Sequence, residues 1–403
     1  MKNSAIPQFG NLHGVRVITT GTNIAGPVAA TFFAEQGAEV IHIESTQAPD
    51  MLRRMGKAWS MDHRNGRSIS LNIPSPEGKE IFLRMLSNAD VLIEASKGGS
   101  YEKWGLTDEV LWQVNPKLII AHVSGFGQIG DQEYVSRPSF DPIGQAFSGF
   151  AAINGMAEPD PPYAAKPYTC DYISALFTAW GVCAALYNTV RTGKGESIDL
   201  AQYETMVRIQ ADYLMGGVND GVQPPRTGIY GNTLQAVPNM QRCSDGKYVL
   251  TAFGGVGVMR SLEKLLGLGD DPDFAEPHPS VQKKDLSRAP KFIAAIEEFF
   301  FTHTAEEACL LMDESGVPCS PVMTYDMMLA HPHYIARETI TEWYDPMSDS
   351  QIKGCNCVPR FKKNPSQIYR GGAAYGADTE DILHELGYDA KDIAKYRLSD
   401  IVK

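Results

Sequence analysis

The feature that most restricts the fold of this chain is a strand–turn–helix–strand pattern near its start. Residues 15–20 (VRVITT) form a short run of apolar, largely β-branched side chains, and residues 21–26 (GTNIAG) have the composition of a turn. Pro27 stands where a helix accepts its first residue, residues 28–36 continue the helix, and Gly37 ends it. Residues 38–44 (AEVIHIE) predict a second strand. The pattern predicts a βαβ unit and therefore a parallel sheet.

The same alternation of strands and helices continues along the chain. The pattern predicts a helix at residues 75–87, a strand at 90–94, a helix at 107–114 and a strand at 118–124. Such an order predicts a doubly wound α/β domain. Further on, residues 172–190 predict a long core helix, because apolar side chains recur there at helical spacing: Ile173, Leu176, Phe177, Trp180, Ala184 and Tyr187.

Changes in composition divide the chain into two domains. Residues 216–238 contain glycine, asparagine and two adjacent prolines, which is typical of a linker. Beyond it a strand at residues 247–253 and helices around 291–300 and 305–315 predict a smaller α/β unit. After His331 a polar segment leads to a predicted terminal helix at residues 379–386. We expect a large domain at residues 1–225 plus 331–403 and a small domain at residues 226–330.

Charge and composition exclude several classes of function. The 36 Lys and Arg against 48 Asp and Glu give a net charge of −12, so binding to nucleic acids or acidic membranes is not expected. No secretory signal is recognised, and no apolar run approaches the ~20 residues that cross a bilayer. Seven cysteines without framework spacing favour reduced thiols in the cytoplasm. The nine histidines form no metal-spaced cluster, so no metal site is predicted.

The first turn does not have the composition of a dinucleotide-binding loop. Glu44 ends the second predicted strand, where an acid that binds ribose would stand, but residues 21–26 lack the G-x-G that lets a pyrophosphate approach the backbone. Spacing alone favours an ordinary strand-to-helix turn over an NAD site, although the following helix terminus could attract another anion.

Two cations stand next to predicted strands. Lys97 follows the strand at 90–94 and therefore lies at the carboxyl edge of the sheet, where open α/β sheets bind ligands. Arg67 precedes another β-like run at residues 69–73. Surface residues without a ligand are the commoner interpretation of both, but two cations at neighbouring strand ends would bracket a phosphorylated ligand.

Asp171 opens the long apolar helix in the segment KPYTCDY. A carboxylate at that position is usually a helix cap. The functional alternative is a carboxylate held ionised for attack on a carbonyl, with helix amides near the developing oxyanion. Position alone does not choose between them. The glycines Gly254, Gly255 and Gly257 likewise fit a turn in the small domain or a mobile lid.

Several segments, in this order and spacing, resemble family III CoA-transferases along essentially the whole chain. They are GTNIAGPVAATFFAEQG (21–37), AEVIHIE (38–44), DVLIEASK (90–97), NPKLIIAHVSGFG (115–127), YTCDY (168–172) and TGKGESIDL (192–200). Residues 90–97, 108–112 and 115–128 look especially like the members of the family that act on L-carnitine. The resemblance implies a Rossmann-like large domain built from both chain ends, a smaller α/β domain, and a homodimer of interlocked subunits.

The resemblance also implies roles for individual residues. The family's nucleophilic aspartate falls on Asp171, and its CoA-contacting lysine falls on Lys97. Seven residues later the carnitine enzymes have an arginine, where this chain has Trp104 beside Lys103. The other residues expected to contact CoA are Arg67, Asn23 and Lys103. CoA thioester is expected as a substrate, with no permanently bound cofactor and no metal.

The reaction implied is the transfer of CoA through covalent aspartyl intermediates, from crotonobetainyl-CoA or γ-butyrobetainyl-CoA to L-carnitine. Other carboxylic acids stay open as substrates, and so does an idle CoA-binding scaffold in which Asp171 is only a cap. A 2-methylacyl-CoA racemase needs an acid–base histidine, and Phe140 occupies that position here. Four aromatic residues near Asp171 in sequence could face a trimethylammonium group or pack in the core: Tyr163, Tyr168, Tyr172 and Trp180.

Overall fold

The centre of the fold is a six-stranded, fully parallel sheet, seen in a computed structural model that describes residues 6–403. The strand order is β3-β2-β1-β4-β5-β6, so the direction of winding reverses between β1 and β4. This topology confirms the predicted doubly wound α/β fold. The strands are β1 (Arg16–Thr19), β2 (Glu39–Glu44), β3 (Arg67–Ser70), β4 (Val91–Glu94), β5 (Ile119–Ser124) and β6 (Glu196–Ala201).

Helices cover both faces of this sheet. One face packs against helices that contribute Ile81, Leu111, Ile382 and Ile393, and the other against helices that contribute Val28 and Phe33. The first ten helices are α1 (Ala25–Ala34), α2 (Lys57–Asp62), α3 (Pro76–Leu86), α4 (Ser100–Lys103), α5 (Asp108–Val114), α6 (Gln132–Val135), α7 (Asp141–Phe147), α8 (Phe150–Ile153), α9 (Thr169–Thr192) and α10 (Gln202–Arg208). Because both faces are covered, β1 to β5 are buried along their whole length.

The long helix α9 forms where it was predicted, but its predicted core face is wrong. The buried side is made of small residues, including Ser174, Ala175 and Thr178, which allow α1 to pack closely. Trp180 and Tyr187 instead point outward and are 71% and 69% exposed. Among the described residues α9 is also the one helix long and apolar enough to cross a bilayer by length and composition, although one of its sides packs in the core.

The chain forms two compact units. The first contains the described residues up to Phe150, Ala164–Leu214 and Ile335–Lys403, and the second contains Ala151–Tyr163 and Met215–Tyr334. The predicted boundary at residues 225/226 thus lies inside the second unit. A detached segment joins that unit because the Arg226 guanidinium donates to the carbonyl oxygens of Met156 and Asp160, a long-range contact that no local pattern signals.

The second unit has its own core around Phe292 and Phe300. A three-stranded antiparallel sheet lies in the order β7 (Met240–Arg242), β8 (Tyr248–Thr251) and β9 (Cys319–Pro321). The next helices in chain order, of which α11 begins and α16 ends in the first unit, are α11 (Ala211–Asp220), α12 (Val256–Leu265), α13 (Arg288–Thr302), α14 (Ala305–Glu314), α15 (Tyr325–Ala330) and α16 (Pro332–Ala336).

The carboxyl-terminal part of the chain returns to the first unit. The segment predicted only as polar contains a hairpin of β10 (Ile340–Asp345) and β11 (Ser350–Cys355), and the Trp343 indole in it donates to Ser60 Oγ at 3.1 Å. The predicted terminal helix is α17 (Thr379–Glu385), and a last helix that was not predicted, α18 (Ala390–Leu398), follows it. The Ser68 amide of β3 donates to Asp378 Oδ2 at 2.8 Å and ties this segment to the edge of the sheet.

Candidate active site

A small cavity of about 80 Å³ opens at the carboxyl ends of β1, β4 and β5. Reversal of the strand order at β1 and β4 separates the loops that follow them and leaves a crevice, which is where doubly wound folds bind ligands. Loops after the three strands, the segment before α7, and the starts of α9 and α10 line the cavity; the lining residues used below are Asn23, Lys97, Arg137, Phe140, Asp171 and Gln202.

Asp171 lies in the first turn of α9 and is 92% buried, since only 8% of its surface is exposed. Gln202, the first residue of α10, donates from Nε2 to Asp171 Oδ1 at 2.6 Å. Within the described chain Asp171 Oδ2 accepts no hydrogen bond. The carboxylate is therefore held by one oxygen and presents the other without a partner, at a residue that lines the cavity.

A second aspartate, Asp141, caps α9. Its Oδ1 accepts the backbone amides of Cys170 at 2.7 Å and Asp171 at 3.2 Å, and its Oδ2 accepts Gln145 Nε2 at 2.7 Å. The Gln145 Oε1 in turn accepts the amide of Ala165 at 2.8 Å. Helix amides were expected near the developing oxyanion. The amides of Cys170 and Asp171 do not fill this role, because both already donate to Asp141.

Burial and, to a smaller extent, the neighbouring charge of Asp141 raise the pKa of Asp171, the hydrogen bond from Gln202 lowers it, and the net result is a pKa of about 6. Burial and Asp141 thus oppose the ionised form that the functional interpretation of Asp171 requires. Near pH 7 Asp171 is still mostly ionised, and it is a far stronger base than an exposed carboxylate. A raised pKa with a specific charged neighbour in a cleft is typical of functional carboxyls.

Two residues expected to contact CoA line the same cavity. Lys97 is exposed in the loop after β4. Asn23 has a φ of 64° in the loop after β1, and its amide donates to Asp50 Oδ2 at 2.7 Å. The left-handed backbone suits asparagine better than most residues other than glycine. The structure thus brings Lys97, Asn23 and Asp171 together although they are far apart in sequence.

A buried imidazolium supports the loop that carries Lys97. His122 of β5 lies 2.8 Å from Glu94 Oε1 and 3.0 Å from Asp108 Oδ1. Burial alone would lower its pKa, but the hydrogen bonds to the two carboxylates outweigh burial and raise the pKa of His122 to about 10. The other oxygen of Glu94 accepts the amide of Ser96 at 2.7 Å, one residue before Lys97.

Lys103 and Trp104 lie outside the Asp171 cavity. Lys103 is the exposed last residue of α4. Trp104 lines a neighbouring cavity of about 240 Å³, which shares Ala95 and Ser96 with the cavity that holds Asp171. The Trp104 indole therefore supplies apolar surface beside the loop that carries Lys97. By resemblance, the carnitine enzymes of the family have an arginine at this position.

Arg67 is at the opposite edge of the sheet from Asp171. It is the first residue of β3, and the site lies at the carboxyl ends of the parallel strands. Its side chain is 4% exposed and pairs with Glu39 at 3.0 Å and Glu385 at 2.8 Å. We therefore leave Arg67 out of the candidate site: its position and its carboxylate partners indicate a structural ion pair instead of a phosphate contact.

Sequence analysis missed three residues of the site. Gln202, Asp141 and Arg137 carry no local motif, and only the packing of α7 and α10 against the start of α9 brings the first two to Asp171. Arg137 lines the cavity and pairs with Glu133 at the surface. The one local signal for Arg137 and Asp141 is the segment RPSFD (137–141), which ends at the first residue of α7.

The aromatic residues near Asp171 in sequence do not form a cage in the cavity. Tyr172 donates its hydroxyl to Asp62 Oδ2 at 3.0 Å, Trp180 is on the outer face of α9, and Tyr163 belongs to the second unit. Gly255 precedes α12 in the second unit with a φ of 87°, and the lid role of these glycines stays a prediction. Residues 6–403 contain no cluster of three or more His, Cys, Asp or Glu side chains that could hold a metal.

Comparison with known proteins identifies the family. The family model of CoA-transferase family III matches residues 12–379. The bile acid CoA-transferase BaiK of Clostridium scindens is 42% identical over 395 residues, covering 97% of this chain and 89% of BaiK. A CAIB/BAIF family protein from Brucella suis matches 94% of this chain and 100% of its own, with 27% identity and a TM-score of 0.78. Rv3272 of M. tuberculosis shares the fold, with 24% identity, a TM-score of 0.78, and coverage of 93% and 99%. A family match and a relative that both span nearly the whole chain show that it belongs to CoA-transferase family III.

Proposed function

We propose that this enzyme moves CoA from a thioester to a free carboxylic acid through covalent intermediates on Asp171. As a family III CoA-transferase it takes a CoA thioester as substrate and needs no permanent cofactor. The observation that carries the proposal is the Asp171 carboxylate, buried at the switch point of the sheet with one oxygen held and the other unpartnered.

The carboxylate accounts for each bond that changes. Asp171 Oδ2 attacks the thioester carbonyl, the carbon–sulfur bond breaks, and CoA leaves as the thiolate, which gives a mixed anhydride. The thiolate then attacks Cγ of Asp171 and the bond from Cγ to Oδ2 breaks. The donor acid leaves as its carboxylate, which carries Oδ2, and an aspartyl-CoA thioester remains. The acceptor acid repeats both steps in reverse. The anhydride conserves the transfer potential of the thioester, provided that water is excluded.

Trapping the intermediate tests the role of Asp171. Protein mixed with acyl-CoA and quenched within one turnover should carry an acyl or CoA adduct on the peptide that contains Asp171, read by mass spectrometry. Asp171→Ala should lose exchange but keep its fold and its affinity for CoA. A wild-type protein that turns over without any adduct at residue 171, or an alanine variant that retains turnover, would contradict the proposal.

For the substrate we propose CoA transfer from crotonobetainyl-CoA or γ-butyrobetainyl-CoA to L-carnitine. The resemblance of residues 90–97, 108–112 and 115–128 to the carnitine members of the family supports this choice. A bile acid is the second candidate, since BaiK is named a bile acid CoA-transferase and is 42% identical to this chain. A cavity of about 80 Å³ holds only the reacting end of either acid, so the cavity by itself does not separate them.

An acceptor panel separates the two substrates. With crotonobetainyl-CoA as donor, transfer to L-carnitine should exceed transfer to cholate at equal concentration. The reverse preference would replace carnitine with a bile acid and leave the family chemistry intact. Activity with neither acid, together with an adduct at Asp171, would assign the enzyme to another carboxylic acid. A racemase is disfavoured because the side chain of Phe140, which lines the cavity, has no group that could donate or accept a proton.

We also propose that the enzyme works as a cytoplasmic homodimer. The outer side of α9 exposes a row of large apolar residues that includes Leu176, Trp180, Tyr187 and Val190, which a second subunit would cover. All seven cysteines are free, which supports a reducing compartment. Light scattering should give twice the chain mass for the wild type, and Trp180→Glu should shift it toward the monomer; a monomeric wild type would refute the dimer.

A further inference from the structure

Gln202 is fixed at both its backbone and its side chain. It begins α10 directly after β6, and it is 7% exposed. Its backbone carbonyl accepts Thr205 Oγ1 at 2.7 Å and the thiol of Cys170 at 3.5 Å. Its side chain donates to Asp171 Oδ1 at 2.6 Å. Since Cys170 and Asp171 are neighbours on α9, the residue is anchored to the same helix turn that carries the nucleophile.

We infer that Gln202 stabilises the oxyanion that forms on Asp171 Oδ1 when CoA thiolate attacks the aspartyl anhydride, an inference that rests on the proposed function. In the anhydride Oδ2 is bonded to the acyl group and Oδ1 is the aspartyl carbonyl oxygen. Attack of the thiolate on Cγ moves an electron pair onto Oδ1. When the bond from Cγ to Oδ2 breaks, that pair returns and the acid leaves as its carboxylate.

The surroundings of Asp171 explain why a side-chain donor is needed. The amides of Cys170 and Asp171, which a helix terminus would otherwise offer to an oxyanion, already donate to Asp141. No other described residue donates a hydrogen bond to the Asp171 carboxylate. Preorganised donors at the atom where charge develops are among the largest contributions to catalysis in buried sites.

The choice of glutamine also fits the first step. A lysine or arginine in direct contact would pair with the carboxylate and lower its nucleophilicity, whereas a neutral amide orients Oδ1 and leaves Oδ2 free. The charged and titratable groups that face Asp171 are Asp141 on α7, Cys170 and Tyr172 on α9, and the cations Lys97 and Arg137 that line the same cavity. Within the described chain, the group that donates a hydrogen bond to the carboxylate is the neutral amide of Gln202 and not one of these cations.

The test compares Gln202→Leu with Gln210→Leu, a matched removal of a buried glutamine. Gln210 follows α10 and donates to the carbonyl oxygens of Ser148 and Met206, away from Asp171. Loss of one oxyanion donor should lower kcat about 10²-fold in Gln202→Leu while KM for acyl-CoA stays within about threefold. Gln210→Leu should unfold at a lower temperature and keep the wild-type kcat.

Rapid quenching and the pH profile separate an electrostatic role from a structural one. In Gln202→Leu the acyl anhydride should accumulate, because its breakdown by thiolate is slowed more than its formation. The acid limb of kcat/KM should move to higher pH, because the hydrogen bond that favours the ionised carboxylate is lost. Gln202→Glu keeps the shape of the side chain but adds a negative charge, so it should move the acid limb of kcat/KM to still higher pH. This variant tests the role of Gln202 if the leucine variant does not fold.

The outcomes distinguish this inference from the proposed function. A wild type that forms the adduct, together with Gln202 variants that keep kcat within threefold and show no change in the acid limb, would overturn the role of Gln202 alone. Equal loss of kcat in Gln202→Leu and Gln210→Leu would also overturn it. A wild type without any adduct at Asp171 would remove the proposed function itself.

Discussion

Asp141 Oδ1 accepts the backbone amide of Asp171 at 3.2 Å, so a carboxylate from α7 caps the helix turn of α9 that carries the second carboxylate. Asp141 holds the helix terminus, and its negative charge acts on the second carboxylate, which is itself buried. The arrangement makes Asp171 a stronger base than a free aspartate and links its ionisation to the residue that caps its helix.

The first prediction concerns the pH dependence of turnover. Attack requires the ionised carboxylate and the pKa of Asp171 is raised to about 6, so kcat/KM of the wild type should fall below pH ~6. Asp141→Asn removes the like charge and should move this limb to lower pH. Initial rates between pH 4.5 and 8 measure the fall of kcat/KM at low pH in the wild type and in the variant. If kcat/KM falls at the same pH in the two proteins, Asp141 does not control the ionisation of Asp171.

The second prediction separates Lys97 from other surface lysines. Lys97→Ala should raise the Kd for a CoA thioester about tenfold, because one charge-assisted hydrogen bond to phosphate is lost, and the difference should shrink at high salt. Lys117 is the matched control, since it is exposed just before β5 at the other edge of the same sheet. Isothermal titration compares the two variants, and equal affinities would exclude a phosphate contact by Lys97.

The third prediction gives Arg67 a structural role. Arg67→Ala leaves Glu39 and Glu385 without one of their buried partners and should lower the free energy of unfolding by about 3 kcal/mol. Urea denaturation measures the loss. The affinity for CoA should be unchanged, because Arg67 lies at the amino end of β3. A selective loss of CoA binding with unchanged stability would return Arg67 to the site.

The fourth prediction concerns two histidines in the first unit, His42 on β2 and His63, which stacks on Trp59 at 3.4 Å. Their ring nitrogens are buried without hydrogen-bond partners. Burial lowers the pKa of His42 to about 4 and that of His63 well below its usual value, so the unfolded chain binds more protons than the folded one as the pH falls from 6.5 toward 4.

Stability should therefore decrease on acidification, with His42 alone contributing a loss of about 2 kcal/mol between pH 7 and pH 5. Urea unfolding of the wild type and of His42→Leu at pH 7 and pH 5 measures how much stability each protein loses on acidification. The contributions of other groups cancel when the two losses are compared. The variant should lose less stability than the wild type on going to pH 5. Parallel losses would show that His42 is not the titrating group.

Much of the large domain follows from local sequence. The runs of β-branched residues and the turn and cap residues around them predicted β1, β2, β4, β5, α1, α3 and α5 within a few residues, because parallel strands buried on both faces are apolar along their whole length. The same order placed Lys97 at the carboxyl edge, where the structure has it.

The sequence by itself determined the doubly wound fold, the family, and the candidate nucleophile Asp171, since periodicity and short motifs are properties of neighbouring residues. Only the tertiary structure decided which face of α9 is buried, that Arg67 pairs with Glu39, and that Asp141 and Gln202 hold Asp171. The physical reason is that burial, charge neighbours and hydrogen-bond partners come from segments about 30 residues or more apart, so they exist only once helices pack on the sheet.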